Sequence, residues 1–336
     1  MSAARSLRIG VTVGDPAGIG PEVTVKALAA LWPEALDTHT LILFASKEFV
    51  TQSARRAGVS LRLQSLKDLS PDPARGVFCL EGPYAMATRP GKPSSASVRA
   101  TLTALGDAAR YATGGHLDAI VTAPVNKGAI SRHSEQAFIG QTEFVAGVAG
   151  ARKYAMAFFS QRLKIVLLTA HLPLRRAIRV ADGALLAQKI DLFAGALQRL
   201  GIKSPRIAVA GLNPHASEGG LFGDEEQRWI TPAVRQYRRR RKSIHLEGPL
   251  SPDTVFFRTL SGEFDGVVAL YHDQGLIPLK LFGPGHAANV TLGLPFVRTS
   301  PDHGTAYELA GKNAADPRGM EEALRWAVRL ATKSRP

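Results

Sequence analysis

The chain has 336 residues, 45% of them hydrophobic and 21% charged, a soluble globular balance that is ample for a self-supporting core in one large domain or two lobes. One cysteine, Cys79, excludes an internal disulfide framework and fits a reducing, cytoplasmic setting. Forty-two Lys and Arg against 28 Asp and Glu leave a net charge of +14, which suits anionic partners.

The first residues, MSAARSLRIGVTVGDP, hold no long apolar run before the first turn signal, so no signal peptide is expected. No stretch of about 18 apolar residues follows, so neither a transmembrane helix nor a membrane partner is expected. The apolar run LRIGVTVG (7–14) predicts a strand ending at Asp15. GDPAGIGPEV (14–23) reads as a glycine-rich turn into a helix, with Pro21 in its first turn. It lacks Gly-Lys-Ser/Thr and does not match G-x-G-x-x-G, so no Rossmann fingerprint is present. LILFA (41–45) is a second strand, and SVRATLTALGDAARYATGG (97–115) a helix stopped by Gly114 and Gly115. DAIVTA (118–123) leads into Pro124, Val125, Asn126 and Lys127. KIVLLTA (164–170) ends at His171, and a helix over 181–201 stops at Gly201. RIAVAG (206–211) runs into Leu212, Asn213, Pro214 and His215. TPAVRQY reads as a helix body, and the basic run from Arg238 to Lys242 as its solvated C-terminal end, complementing the dipole. No aromatic interleaving accompanies that run, so nucleic acid is not expected as a partner. DGVVAL (265–270) ends in Tyr271, His272 and Asp273. Continuous apolar strands alternating with amphipathic helices predict a mostly parallel α/β sheet covered on both faces.

Ligands of open α/β sheets bind beyond the carboxyl ends of the strands. His171, His215 and His272 fall at or near three such ends. Three imidazoles would leave coordination positions open on a divalent ion, as catalytic sites require. One histidine at a loop start commonly serves as a hydrogen-bonded structural residue; three at equivalent positions favour metal. Asn126, Lys127, Asn213, Asp273, Gln274 and Lys280 share the same rim. Capping chemistry accounts for Asn213 and Asp273, and less readily for Lys127 and Lys280.

The segments GDPAGIGPE (14–22), APVNK (123–127), GQTEFVA (140–146), TAHLPL (169–174), GLNPHASEGGLFGDEE (211–226), GPLSPDT (248–254), YHDQGLIPLK (271–280) and NVTLGLPFVRTSPDHGTAYELAGKNAADP (289–317) follow one another through nearly the whole chain. Together they closely resemble the 4-hydroxythreonine-4-phosphate dehydrogenase family of pyridoxal phosphate biosynthesis. The resemblance implies a metal held by His171, His215 and His272, with zinc, magnesium or cobalt as the ion. It places substrate contacts on Gln141, Thr142, Lys280, Asn289 and Arg298, where Gln141 stands in place of the family's histidine. It also implies a homodimer whose active sites draw on both chains. SPDHGTAYELAGKNAADP (300–317) is similar to the adenosine loop of isocitrate and isopropylmalate dehydrogenases, whose fold is two-lobed α/β/α and not Rossmann. That likeness assigns NAD or NADP to Gly304, Thr305, Glu308 and Asn313, with Glu308 favouring NAD through the ribose hydroxyl. The expected lobes are 1–128 with 295–336, carrying the dinucleotide loop, and 129–294, carrying metal and dimer contacts.

The implied reaction is metal-dependent oxidation of a small anionic phosphorylated substrate, 4-phosphooxy-L-threonine, to 2-amino-3-oxo-4-phosphooxybutanoate. That product decarboxylates to 3-amino-2-oxopropyl phosphate on the way to pyridoxine 5′-phosphate. Lys280, Asp253 and Asp273 are the catalytic candidates, the two aspartates as proton relays. The alternatives are a sister dehydrogenase of a 4-phosphorylated sugar acid or of a dihydrodiol dicarboxylate.

Overall fold

The computed structural model describes residues 6–69, 75–84, 88–135, 138–281 and 285–332. Its strands are β1 Arg8–Thr12, β2 Thr40–Leu43, β3 Leu63–Leu66, β4 Gly76–Leu80, β5 Ala119–Thr122, β6 Ala155–Phe159, β7 Lys164–Leu167, β8 Arg206–Ala210, β9 His245–Leu250, β10 Gly266–Ala269, β11 Ala288–Leu292 and β12 Val297–Pro301. Its α-helices are α1 Gly20–Leu31, α2 Lys47–Arg56, α3 Ser95–Thr113, α4 Lys127–His133, α5 Gln141–Val148, α6 Leu174–Val180, α7 Gly183–Arg199, α8 Thr231–Arg240, α9 Val255–Leu260, α10 His272–Lys280 and α11 Arg318–Thr332. Helix starts follow the local chemistry. Ser46, Asn126 and Asp182 each accept a first-turn N–H, from Phe49, Ala129 and Leu185, and Ser94 forms a reciprocal capping box with Ser97.

The chain divides into two compact units. One comprises Met1–Arg152, Pro284–Asn289 and Leu294–Pro336; the other comprises Lys153–Gly283 and Val290–Gly293. The discontinuous two-lobe layout matches the expected one except that residues 129–152, 284–289 and 294 fall in the first unit. The reason is packing: α4 and α5 both lie against α3. Nothing in the composition of that stretch marks the change.

In the first unit the strand order is β3-β4-β2-β1-β5-β12, with the measured pairings all parallel. Strands β2, β4, β5 and β12 are buried at every residue, as strands covered on both faces must be. Helix α3 lies on β1 and β5, and α11 lies on β12 and β5. In the second unit the order is β6-β7-β10-β8-β9, parallel except for the antiparallel β6–β7 pair. Its core centres on Phe159 and Phe193, both fully buried, with ring centroids 6.1 Å apart. Burial of each such ring contributes roughly 1.5–3 kcal/mol. At the end of α8, Arg238, Arg239 and Arg240 form the last turn and Arg241 reaches Asp191 at 3.5 Å, so part of the basic run is tied locally. Among the described residues no helix is long and apolar enough to cross a membrane.

Candidate active site

Strands β7, β10 and β8 are neighbours in the second unit, and each leads to one of the three histidines. Two side chains lock these strand ends in register. Thr169, past β7, donates to the Leu270 carbonyl at 2.8 Å. The buried Gln274 accepts from the Leu270 N–H at 2.7 Å and donates to the Gly211 carbonyl, past β8, at 2.7 Å.

The result brings two of the histidines together. The rings of His171 and His272 lie 5.8 Å apart, centroid to centroid. His272 Nδ1 is 2.7 Å from Asp273 Oδ1. A carboxylate there accepts a hydrogen bond from Nδ1–H and favours the tautomer whose Nε2 keeps its lone pair, the arrangement common behind metal-ligating imidazoles. Asp273 is therefore committed to His272 and is not a capping residue. His215 stands apart from this pair, and its Nδ1 is 4.0 Å from Asp253 Oδ2. Among the described residues no group of three or more His, Cys, Asp or Glu is placed to hold a metal ion.

His215 sits in an unusual turn. His215, Ala216, Ser217 and Glu218 have φ of 51°, 52°, 68° and 45°. Consecutive left-handed L-residues cost roughly 1–2 kcal/mol each, so the surroundings must hold them. Asn213, expected to cap, instead donates its Nδ2 to Glu225 at 2.7 Å and Glu226 at 2.9 Å. Asp253 accepts from the Ser251 hydroxyl at 2.6 Å. That bond, more than any other contact, holds its carboxyl below the usual range, so it is ionised at neutral pH. Lys280 is exposed in the last turn of α10.

The first unit holds a different arrangement. Arg298 on β12 is 2% exposed. It donates Nη1 to Thr142 Oγ1 at 3.0 Å, and Nη2 to Thr122 Oγ1 at 2.8 Å and Gln141 Oε1 at 3.2 Å. Burial pulls its pKa down to about 10, while Glu143 opposes the shift. Gln141 donates Nε2 to the Ala123 carbonyl at 3.1 Å. Its amide therefore performs one donation and one acceptance, as a neutral histidine would. It cannot add a second positive charge beside the guanidinium. Lys127 and Glu143 both approach the Gly140 backbone, where an added Cβ would lie 3.3 Å from Lys127 Nζ and 2.6 Å from Glu143 Oε2. Asn289 Oδ1 is buried without a hydrogen-bond partner among the described residues.

The expected dinucleotide loop follows β12 and is tied to the glycine-rich turn after β1. Thr305 accepts from the Ile19 N–H at 3.0 Å, and its hydroxyl is 3.4 Å from Asn126 Nδ2. The Tyr307 hydroxyl donates to Asp15. Lys26 Nζ reaches the Asn313 and Ala315 carbonyls at 3.3 and 3.1 Å. Gly14 has φ of 70°, and a Cβ there would lie 2.2 Å from the Pro124 carbonyl oxygen, so only glycine fits. Asn313 helps line a small cavity with Glu22, Phe49 and Arg56. Gly304, Thr305 and Glu308 do not line it; Gly304 has open space at its Cα, and Glu308 is exposed.

Sequence reasoning passed over Glu226, a 2%-exposed carboxylate that accepts from the Leu212 and Asn213 N–H groups at 2.7 and 2.8 Å. It lies in GDEE, which reads as solvated acid. The one usable signal was the apolar Trp229–Ile230 pair just after it.

In both units, parallel strands with polar or titratable side chains gathered on them and beyond their ends place the chain in the α/β class of enzymes. Comparison makes this particular. A family model described as pyridoxal phosphate biosynthetic protein PdxA matches residues 37–327. A 4-hydroxythreonine-4-phosphate dehydrogenase of Beijerinckia indica is 42% identical over 325 residues, 96% of this chain and 94% of the relative. A D-threonate 4-phosphate dehydrogenase of Cupriavidus necator is 39% identical over 338 residues, 97% of each chain. The crystal structure of a 4-hydroxythreonine-4-phosphate dehydrogenase from Klebsiella pneumoniae superposes with a TM-score of 0.84 at 36% identity, covering 97% of this chain and 100% of that one. The chain belongs to the PdxA family and is an oxidoreductase of it.

Proposed function

We propose that this protein oxidises 4-phosphooxy-L-threonine at C3 with NAD or NADP in pyridoxine 5′-phosphate biosynthesis. The observation that carries the reading is Arg298, a buried guanidinium surrounded by hydroxyl and amide groups at a family substrate position. Such a cation is kept out of water at a cost unless an anion completes its environment. Thr142, Gln141, Asn289 and Lys127 of the same unit supply further donors for the phosphate and carboxylate, and Lys280 of the second unit is the remaining family contact. The unpartnered oxygen of Asn289 suits a substrate hydroxyl or ammonium.

The His171–His272 pair with Asp273 behind it fits a nitrogen-preferring divalent ion such as zinc or cobalt, with magnesium the harder alternative. His215 is the third ligand in this reading. When bound, such an ion would supply Lewis-acid stabilisation of the C3 oxygen while hydride departs from C3 itself. Asp253, held ionised, takes the hydroxyl proton as the C3–H electron pair leaves for the nicotinamide. Asp273 orients His272 and acts through it. The β-keto acid then loses carbon dioxide and takes up a proton at C2, giving 3-amino-2-oxopropyl phosphate. Gly304, Thr305, Glu308 and Asn313 hold the dinucleotide, and exposed Glu308 favours the free ribose hydroxyl of NAD.

The test is a substrate profile read as NADH or NADPH formation with zinc, cobalt or magnesium. The expected best substrate is 4-phosphooxy-L-threonine, ahead of D-threonate 4-phosphate and a dihydrodiol dicarboxylate. Reversal of that order overturns the reading. Gln141→His is expected to leave kcat/KM for 4-phosphooxy-L-threonine within about threefold, since a neutral imidazole donates and accepts alike. A gain of tenfold or more would favour the D-threonate 4-phosphate reading, which Gln141 in place of histidine motivates.

We further propose a cytoplasmic homodimer with shared active sites. Exposed apolar side chains lie close in sequence to all three histidines: Leu174 and Ile178 after His171, Leu221 and Phe222 after His215, Ile277 and Leu281 after His272. Apolar groups so concentrated call for a cover, and a second copy supplies it symmetrically. Sedimentation is expected to give the mass of two chains, and Leu281→Asp that of one. A wild-type monomer at micromolar concentration would overturn the assignment.

A further inference from the structure

The left-handed turn carrying His215 is clasped at both ends by two consecutive residues. We infer that Glu226 and Gln227 are positioning residues for His215, setting the direction of its imidazole. This rests on the reading of His215 as a metal ligand. At the upstream end, Glu226 spends a buried carboxylate on backbone and amide: Oε1 accepts from the Leu212 and Asn213 N–H groups at 2.7 and 2.8 Å, and Oε2 from Asn213 Nδ2 at 2.9 Å. At the downstream end, Gln227 Nε2 donates to the Gly219 carbonyl at 2.6 Å. Between these points His215, Ala216, Ser217 and Glu218 all hold positive φ, a state that L-residues leave unless something outside the turn retains them. Within the turn, the Ala216 N–H bonds the Asn213 carbonyl and the Phe222 N–H that of Ser217, both at 3.1 Å, and the Leu221 N–H also reaches Ser217.

Both clasping residues open the π-helical segment Glu226–Ile230, which continues directly into α8. The clasp is therefore anchored on regular structure, and such π segments gather at functional sites. The same stretch is gripped from its other side. Gln274, two residues after His272, donates to the Gly211 carbonyl at 2.7 Å. Residues 211–213 thus accept a hydrogen bond from the helix that begins with His272 and donate to the segment that restrains His215. Ligand directions fixed in advance raise metal affinity, because less ordering remains for binding to impose.

The experiment titrates metal-free full-length protein with Co²⁺, reading both Kd and the visible absorption bands, which report coordination geometry. Glu226→Gln keeps size but sets an amide NH₂ against Asn213 Nδ2. It is expected to raise the Co²⁺ Kd about tenfold or more and to change the bands. Gln227→Ala, at an exposed position where folding is not at stake, is expected to do the same to a smaller degree. His215→Ala is the control. Wild-type Co²⁺ binding by His215→Ala overturns the ligand reading itself. Weak binding by His215→Ala, with wild-type Kd and bands in Gln227→Ala and in folded Glu226→Gln, overturns the positioning role alone. Should Glu226→Gln fail to fold, Gln227→Ala decides.

Discussion

His272→Ala is expected to lose bound divalent metal and nicotinamide reduction together, with turnover down about 10³-fold or more. Lewis-acid stabilisation of a developing oxyanion supplies several kcal/mol, and each 1.36 kcal/mol is about tenfold in rate. His272 contributes a ring whose Nδ1 is already engaged by Asp273, so its other nitrogen is the one available to an ion. The change also leaves Asp273 without its partner, on a surface where water replaces it cheaply. Circular dichroism and the thermal midpoint should therefore move little, since partly exposed sites of this kind usually shift stability by under about 1 kcal/mol. Metal content by atomic emission and NADH formation are the two readings. Full turnover in metal-free His272→Ala protein would sink the mechanism.

Arg298→Met should act through recognition. The guanidinium makes three hydrogen bonds inside the first unit and is desolvated. Removing one member of such a buried charged contact typically costs 2–5 kcal/mol of binding, so kcat/KM should fall about 10²- to 10³-fold. Methionine fills much of the volume, and relief from burying the cation offsets part of the lost bonding, so folding should survive. Steady-state kinetics with 4-phosphooxy-L-threonine check it. A kcat/KM within threefold of wild type would mean that the guanidinium serves the core alone.

Much of the fold was legible because buried parallel strands are written as unbroken apolar runs. KIVLLTA, RIAVAG and DGVVAL each contain a strand, ending at Leu167, Ala210 and Ala269, with His171, His215 and His272 four, five and three residues further on. The partition of the chain was not legible. Helices α4 and α5 are short, and which unit they join depends on their packing against α3, which their own residues do not announce. The site was half legible. Histidines announce themselves by type, whereas Glu226 and Gln274 have types that normally face water. Their roles follow only from burial and from partners 13 to 63 residues distant. Asn213 reads as a cap for the same reason, because its partners Glu225 and Glu226 lie twelve and thirteen residues on; Asp273 instead engages its immediate neighbour His272, a pairing that capping rules do not consider.

The strand-end ties made by Thr169 and Gln274 have a historical implication. Neither residue is among the candidate ligands, yet both help set where two of the histidine-bearing segments begin. Selection on a new substrate can then act on groups such as Gln141 without rebuilding the redox apparatus. Relatives bearing two different substrate names stand at 42% and 39% identity to this chain, nearly equidistant. Overall identity therefore does not separate the two substrate names, and the measurement at Gln141 does.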